Sequence, residues 1–180
     1  MAKIIIRPAI SEDAAEIANV HINSWREAYI GLMPVEFLNE RPLNFKNRYT
    51  LWKRVTVDPT FITIVAESPD HGIVGFINGQ EGRDPEYKDQ AEVWCIYLLE
   101  KYHGQKIGFQ LIEKFINEMK SRGFNKAYLW VLEGNPTTRF YEKVGGKYAG
   151  HSKEDTIAGQ KMTELCYVWD NLDLEKINEH

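Results

Sequence analysis

Cysteine is scarce in this chain: Cys95 and Cys166 are the only two in 180 residues, far apart and each inside an apolar stretch. Without a CxxC pair or a Cys/His cluster, the sequence argues against a disulfide framework and against a metal site. Long apolar runs are lacking too. The N-terminal MAKIIIRPAI has three consecutive isoleucines before Arg7 and Pro8, too few for a signal-peptide core or a membrane span. No membrane partner is expected, and two buried thiols in a reducing compartment point to a cytoplasmic protein. Positive charge is not in excess. Lys and Arg number 22 against 26 Asp and Glu, a formal net charge of -4, so no basic face marks a nucleic-acid binder. Repeats, low-complexity tracts and linkers are missing as well.

What remains is an ordinary globular composition, with 43% hydrophobic and 27% charged residues, far from that of a disordered chain. The length suits one domain, placed at residues 1–170, with a polar C-terminal tail over 171–180. Residues 3–8 read as a strand stopped by Pro8. Ser11 is the expected N-cap of a helix with apolar positions at Ala14, Ile17, Ala18, Ile22, Trp25, Ala28 and Tyr29. Gly31 to Pro34 breaks it, and less regular helical stretches cover Val35–Leu38 and Phe45–Val57. Phe61–Glu67 and Ile73–Gln80 flank a turn-rich segment, a hairpin signal; Ala91–Leu99 is a third strand. An amphipathic helix follows, carried by Ile107, Leu111, Ile112, Phe115, Ile116 and Met119 and ending before Gly123. Ala127–Leu132 reads as a buried strand, and Asn135-Pro136 as a helix start ended by Gly145-Gly146. Strands over about 147–157 and 161–169 close the chain. The strand–helix–strand unit in 91–132 demands a parallel pair, and the hairpins demand antiparallel ones. A mixed α/β fold follows, with helices on both faces of the sheet.

The segment His103-Gly104-Gln105-Lys106-Ile107-Gly108-Phe109 joins a strand end to a helix start. A helix N-terminus offers unpaired N–H groups and partial positive charge, and the two glycines allow a tight bend and close approach. Such a bend suits an anion such as a pyrophosphate, although it is neither a Walker A nor a dinucleotide GxGxxG motif.

That segment, the strand Ala91–Leu99 before it, and Asn135-Pro136-Thr137-Thr138-Arg139-Phe140-Tyr141-Glu142-Lys143-Val144-Gly145-Gly146 after it together resemble the GNAT superfamily of acetyl-CoA-dependent N-acetyltransferases. The early Trp25–Pro34 segment is similar to small bacterial-type members. The family's phosphate motif, [RQ]-x-x-G-x-[GA], reads His103 to Gly108 here, with His at the Gln/Arg position and Lys106 at the first glycine. A left-handed backbone at Lys106 would therefore carry strain.

The resemblance implies a mostly antiparallel sheet of about seven strands and an acetyl-CoA cosubstrate. It places that cosubstrate along Ile96 and Leu98, on His103, Gly104, Gln105, Lys106, Ile107, Gly108 and Phe109, and near Asn135 and Tyr141. It implies main-chain N–H groups of Ile96 and Leu98 for polarising the thioester, and Tyr141 as the acid that protonates the leaving thiolate. Glu92 takes the general-base position, which would need its pKa raised from about 4.3. About 13 Å of strand separates it from Ile96, so it would work through ordered water; a solvated strand-end carboxylate is the alternative. Asn135 is equally accounted for as a helix cap. Trp25, Tyr29 and Met33 come where the family lines its acceptor pocket, although Trp25 and Tyr29 also fall on the helix's apolar face. Trp94 and Trp130 read as core. Cys95 has nothing near it to lower its pKa, so attack is expected to be direct. The expected function is N-acetylation of a small-molecule or peptide amine. A catalytically silent acyl-CoA-binding domain of the same fold is the alternative. Exposed strand edges are compatible with a homodimer.

Overall fold

A computed structural model describes residues 3–32, 36, 38, 44–157 and 160–172. Among the described residues, seven strands form one sheet in the order β1-β2-β3-β4-β5-β7-β6. They are β1 (Ile5–Pro8), β2 (Ile62–Ser68), β3 (Gly72–Glu81), β4 (Ala91–Leu98), β5 (Ala127–Leu132), β6 (Lys147–Ile157) and β7 (Gln160–Trp169). Every neighbouring pair is antiparallel except β4 and β5. This is the mixed, mostly antiparallel sheet expected. Pro8 ends β1 at the sheet's edge, where its missing N–H costs no ladder bond.

Among the described residues, the helices α1 (Ala14–Tyr29), α2 (Phe45–Val55), α3 (Ile107–Ser121) and α4 (Thr138–Lys143) cover the two faces. Strand alternation divides the core. Val65 and Phe76 face α1 and α2, packing with Ile17, Val20 and Trp52. Ile64, Ala66 and Ile77 face the other way, against Leu111, Phe115 and Met119 of α3. The right-handed crossover through α3 sets β5 parallel to β4.

Helix boundaries differ from the sequence expectation where side chains compete locally. Ser11 does not cap α1; it opens a 3-10 turn over Ser11–Asp13. The Asp13 carboxylate instead accepts the Ile10 N–H at 2.9 Å and pairs with Arg7 at 2.7 Å, tying β1 to the helix start. At Asn135-Pro136, the Asn135 amide oxygen accepts the Thr137 N–H (3.0 Å) and hydroxyl (2.7 Å), closing an Asx-type turn so that α4 begins at Thr138. Of the polar tail placed at 171–180, Asn171 and Leu172 are described and the rest lies outside the described residues. Leu172 is fully buried in the α3-side core, and its N–H donates to the Asn125 carbonyl. Glu36 and Leu38 are helical; the rest of the Val35–Leu38 expectation lies outside the described residues.

Candidate active site

The site is made by a strand that parts from its neighbour. Asn78 opposes Cys95 and Gly79 opposes Val93, so Trp94 is an extra residue on β4, a bulge. Glycine is required at 79: a Cβ there would stand 2.6 Å from Phe115 Cζ and collide with the Glu92 carbonyl oxygen. On its other edge β4 pairs with β5 only at Ala91 and Glu92. Beyond those two residues β5 pairs with β7 alone, and the second half of β4 stands splayed. The Leu99 N–H donates to the Val74 carbonyl of β3 at 3.0 Å. Strand alternation then turns the N–H and C=O groups of Ile96 and Leu98 towards the split. The Leu98 carbonyl there accepts from His103 Nε2 at 2.9 Å.

Two cavities meet at the split. One, of about 430 Å³, lies on the α1 side; the other, of about 710 Å³, lies between α3 and α4. Ile96, Leu98, His103, Thr137 and Tyr141 line both.

The larger cavity contains the expected phosphate loop. Gly104 has φ +75° and Lys106 φ 61°, ψ 10°, both left-handed, and α3 starts at Ile107. Lys106 thus holds, with a side chain, a conformation natural to glycine. The main-chain N–H groups from Gly104 to Phe109 donate to no protein acceptor among the described residues, so several donors are available where the helix dipole favours an anion. Lys106, Arg139 and Lys143 line the same cavity. The last two sit four residues apart on α4, a spacing visible in the sequence but not singled out there. Gly108 admits α4, since a Cβ there would stand 3.1 Å from Phe140 Cζ. Phe109 also lines the cavity, while the Gln105 side chain turns back to the Lys101 carbonyl.

Tyr141 projects from α4 to the meeting point of the cavities and is 7% exposed. Burial pushes its phenol up to about 12, with Thr137 partly offsetting this. Asn135 is buried and lines the smaller cavity, its amide oxygen committed to Thr137.

Glu92 does not join this group. It is buried and lines neither cavity; Arg83 grips it in a bidentate pair at 2.9 and 2.7 Å and adds a main-chain N–H at 3.2 Å. Burial pushes its carboxyl up, but Arg83's hydrogen bonds and charge outweigh that and hold it below the usual range. A base towards an ammonium needs the opposite shift. Nothing in the strand motif signals Arg83, which lies nine residues earlier in a loop.

The smaller cavity carries Tyr29 and Cys95. Burial raises the Cys95 thiol to about 12, with Arg48 opposing, so it is a poor nucleophile. Trp25 is not among the described lining residues; its ring packs 5.0 Å from Tyr29 and buttresses it. Met33 lies outside the described residues. Trp94 and Trp130, expected in the core, are half-buried and line the chamber, because the bulge and the splay open the sheet there. Ser24, Glu27, Glu100 and Glu164 also line it and were not anticipated; they come from three distant segments that only the topology brings together. Among the described residues no group of His, Cys, Asp or Glu could hold a metal ion, and no helix is long and apolar enough to cross a membrane.

A splayed parallel pair beside a glycine-marked helix start is the arrangement that the sequence resemblance implies for an acyltransferase. The model of the acetyltransferase (GNAT) family matches residues 22–146. The uncharacterized N-acetyltransferase YuaI of Bacillus subtilis (strain 168) is 30% identical over 169 residues, 94% of each chain. Among solved structures, an N-acetyltransferase from Staphylococcus aureus Mu50 superposes with TM-score 0.71 at 20% identity, covering 96% of this chain and 100% of that one. The PaiA N-acetyltransferase of Thermoplasma acidophilum, in complex with coenzyme A, gives TM-score 0.65 at 21% identity over 91% and 98%. YncA from Salmonella typhimurium, with its cofactor acetyl-CoA, gives 0.69 at 16% over 96% and 95%. The chain belongs to the GNAT acetyltransferase family.

Proposed function

We propose that this enzyme moves the acetyl group of acetyl-CoA to a primary amine by direct attack in a ternary complex. The observation that carries the reading is the pair of cavities meeting at one wall of Ile96, Leu98 and Tyr141. The larger cavity fits the cosubstrate: unpaired amides at 104–109 and the cations Lys106, Arg139 and Lys143 suit a diphosphate, and the open edge of β4 suits an amide-bearing arm. Acetyl-CoA supplies the activated thioester. The amine enters from the smaller cavity.

The N–H groups of Ile96 and Leu98 donate to the carbonyl oxygen as it gains charge, a contribution typically worth about 3 kcal/mol. As the nitrogen–carbon bond forms and the carbon–sulfur bond breaks, the amine loses its proton on the acceptor side and the thiolate gains one. Tyr141 is the donor to that thiolate. With its phenol near 12, full transfer to a thiolate of pKa about 8.5 is uphill by roughly 5 kcal/mol, so Tyr141 donates a hydrogen bond that stabilises the departing sulfur and keeps its proton, and the thiolate takes its proton from solvent as coenzyme A leaves. Glu92 is not assigned the base role, and Cys95 forms no covalent intermediate.

Initial-velocity measurements of thiol release test this. Intersecting lines for acetyl-CoA and amine, with activity retained in Cys95→Ala, are expected. Parallel lines with an acetylated enzyme would overturn direct attack, and coenzyme A binding without thiol release on any amine would point to a silent binder.

A further inference from the structure

We infer that the acceptor is an aliphatic diamine or polyamine, whose second ammonium is held by the carboxylates of the smaller cavity. This rests on the transferase reading above. Three carboxylate residues line that chamber, Glu27, Glu100 and Glu164, and no Lys or Arg among the described residues does. Glu164 is partly neutralised by Lys153 at 3.4 Å. No described cation lies within ion-pair distance of Glu27 or Glu100; both are exposed, and the Glu27 carboxylate accepts the Glu100 N–H at 3.3 Å.

Two further observations point to the same ligand. Ser24, 3% exposed on the chamber wall, has a hydroxyl oxygen with no hydrogen-bond partner among the described residues, and the Trp94 indole N–H on the same wall has none either; the burial of such a polar group is costly until something pairs with it. An ammonium, with three donors and no acceptor, supplies what an oxygen lone pair lacks. The rings of the wall already stack the protein's own cations: the Lys153 ammonium stands 4.1 Å over the Trp130 ring while pairing with Glu164, and the Arg83 guanidinium stands 4.1 Å over Trp94. Aromatic faces beside carboxylates bind cations. An acceptor bearing a carboxylate would stand beside Glu27 and Glu100, for which no described cation lies within ion-pair distance, and would be disfavoured there.

The test uses acceptors of matched length with the full chain at saturating acetyl-CoA: 1,5-diaminopentane, pentylamine and 5-aminopentanoate. The expected kcat/KM order is diamine, then monoamine, then amino acid, with about tenfold between the first two. In Glu27→Gln the diamine's advantage over pentylamine falls to about twofold through a higher diamine KM, and Glu164→Gln does the same; the acetyl-CoA KM monitors folding. A merely structural role would move all acceptors alike, and that result overturns the proposal. So does an amino acid used as well as the diamine, which leaves the transferase reading standing. Thiol release from none of the three overturns the proposal, and the transferase reading falls with it only if no other amine releases thiol either.

Discussion

Lys106 offers the sharpest test of the phosphate loop, because its backbone and its charge make opposite demands. At φ 61°, ψ 10° it is left-handed, which costs an ordinary L-residue about 1 to 2 kcal/mol. Glycine there removes that strain but returns about 0.5 to 1 kcal/mol in lost chain entropy. Lys106→Gly is therefore expected to stabilise the free protein by about 0.5 to 1 kcal/mol, raising Tm by about 1 to 4 °C for a chain of this size. Lys106→Ala keeps the Cβ and gains nothing. Both variants lose the ammonium lining the larger cavity, so both bind coenzyme A about three- to tenfold more weakly. Thermal unfolding without ligand and titration calorimetry with coenzyme A read the two effects separately. A Lys106→Gly protein less stable than Lys106→Ala would refute the strain argument, and unaltered affinity in both would remove the ammonium from the diphosphate site.

Tyr141→Phe is expected to lower kcat by about a hundredfold while leaving coenzyme A affinity within about twofold. Because the phenol acts while protonated and titrates near 12, wild-type kcat has no falling limb below about pH 10; one would assign the donor elsewhere. Glu92→Gln is expected to leave the acid limb of kcat/KM in place yet lower stability. Arg83 is more than half exposed (58%), so the loss is only about 1 kcal/mol. With the carboxyl held low by Arg83, that contribution is full above the ordinary carboxylate value of about 4.3 and lost as pH falls through the lowered one. The Tm gap to wild type should therefore be widest near pH 7 and close towards pH 3. Gly79→Ala drives a Cβ into Phe115 and the Glu92 carbonyl, and unfolding should show a loss of about 2 to 3 kcal/mol. A neutral substitution would mean that the bulge at Trp94 is not held there.

How much was legible in the sequence follows from how local each signal is. The α3 helix and strand β5 stand where their apolar spacing places them, at Ile107–Ser121 and Ala127–Leu132, because a core-facing stripe is written within one segment. The start of α4 was displaced by two residues because Asn135 spends its amide on Thr137, a competition that composition does not rank. The bulge was invisible: it depends on Gly79 fitting beneath Phe115 from another element. Glu92 could be read as a base only while Arg83 was out of view. The chamber carboxylates Glu27 and Glu164 lie on α1 and β7 and share a cavity only through the sheet order.

The split between β4 and β5 is the proposed seat of the cosubstrate's arm. Amide hydrogen exchange, residue by residue, with and without coenzyme A, measures that most directly. Slowed exchange at Ile96, Leu98 and the amides from Gly104 to Phe109, with little change along β6, is the expected result. Protection confined to other segments, or none at saturating coenzyme A, would contradict it.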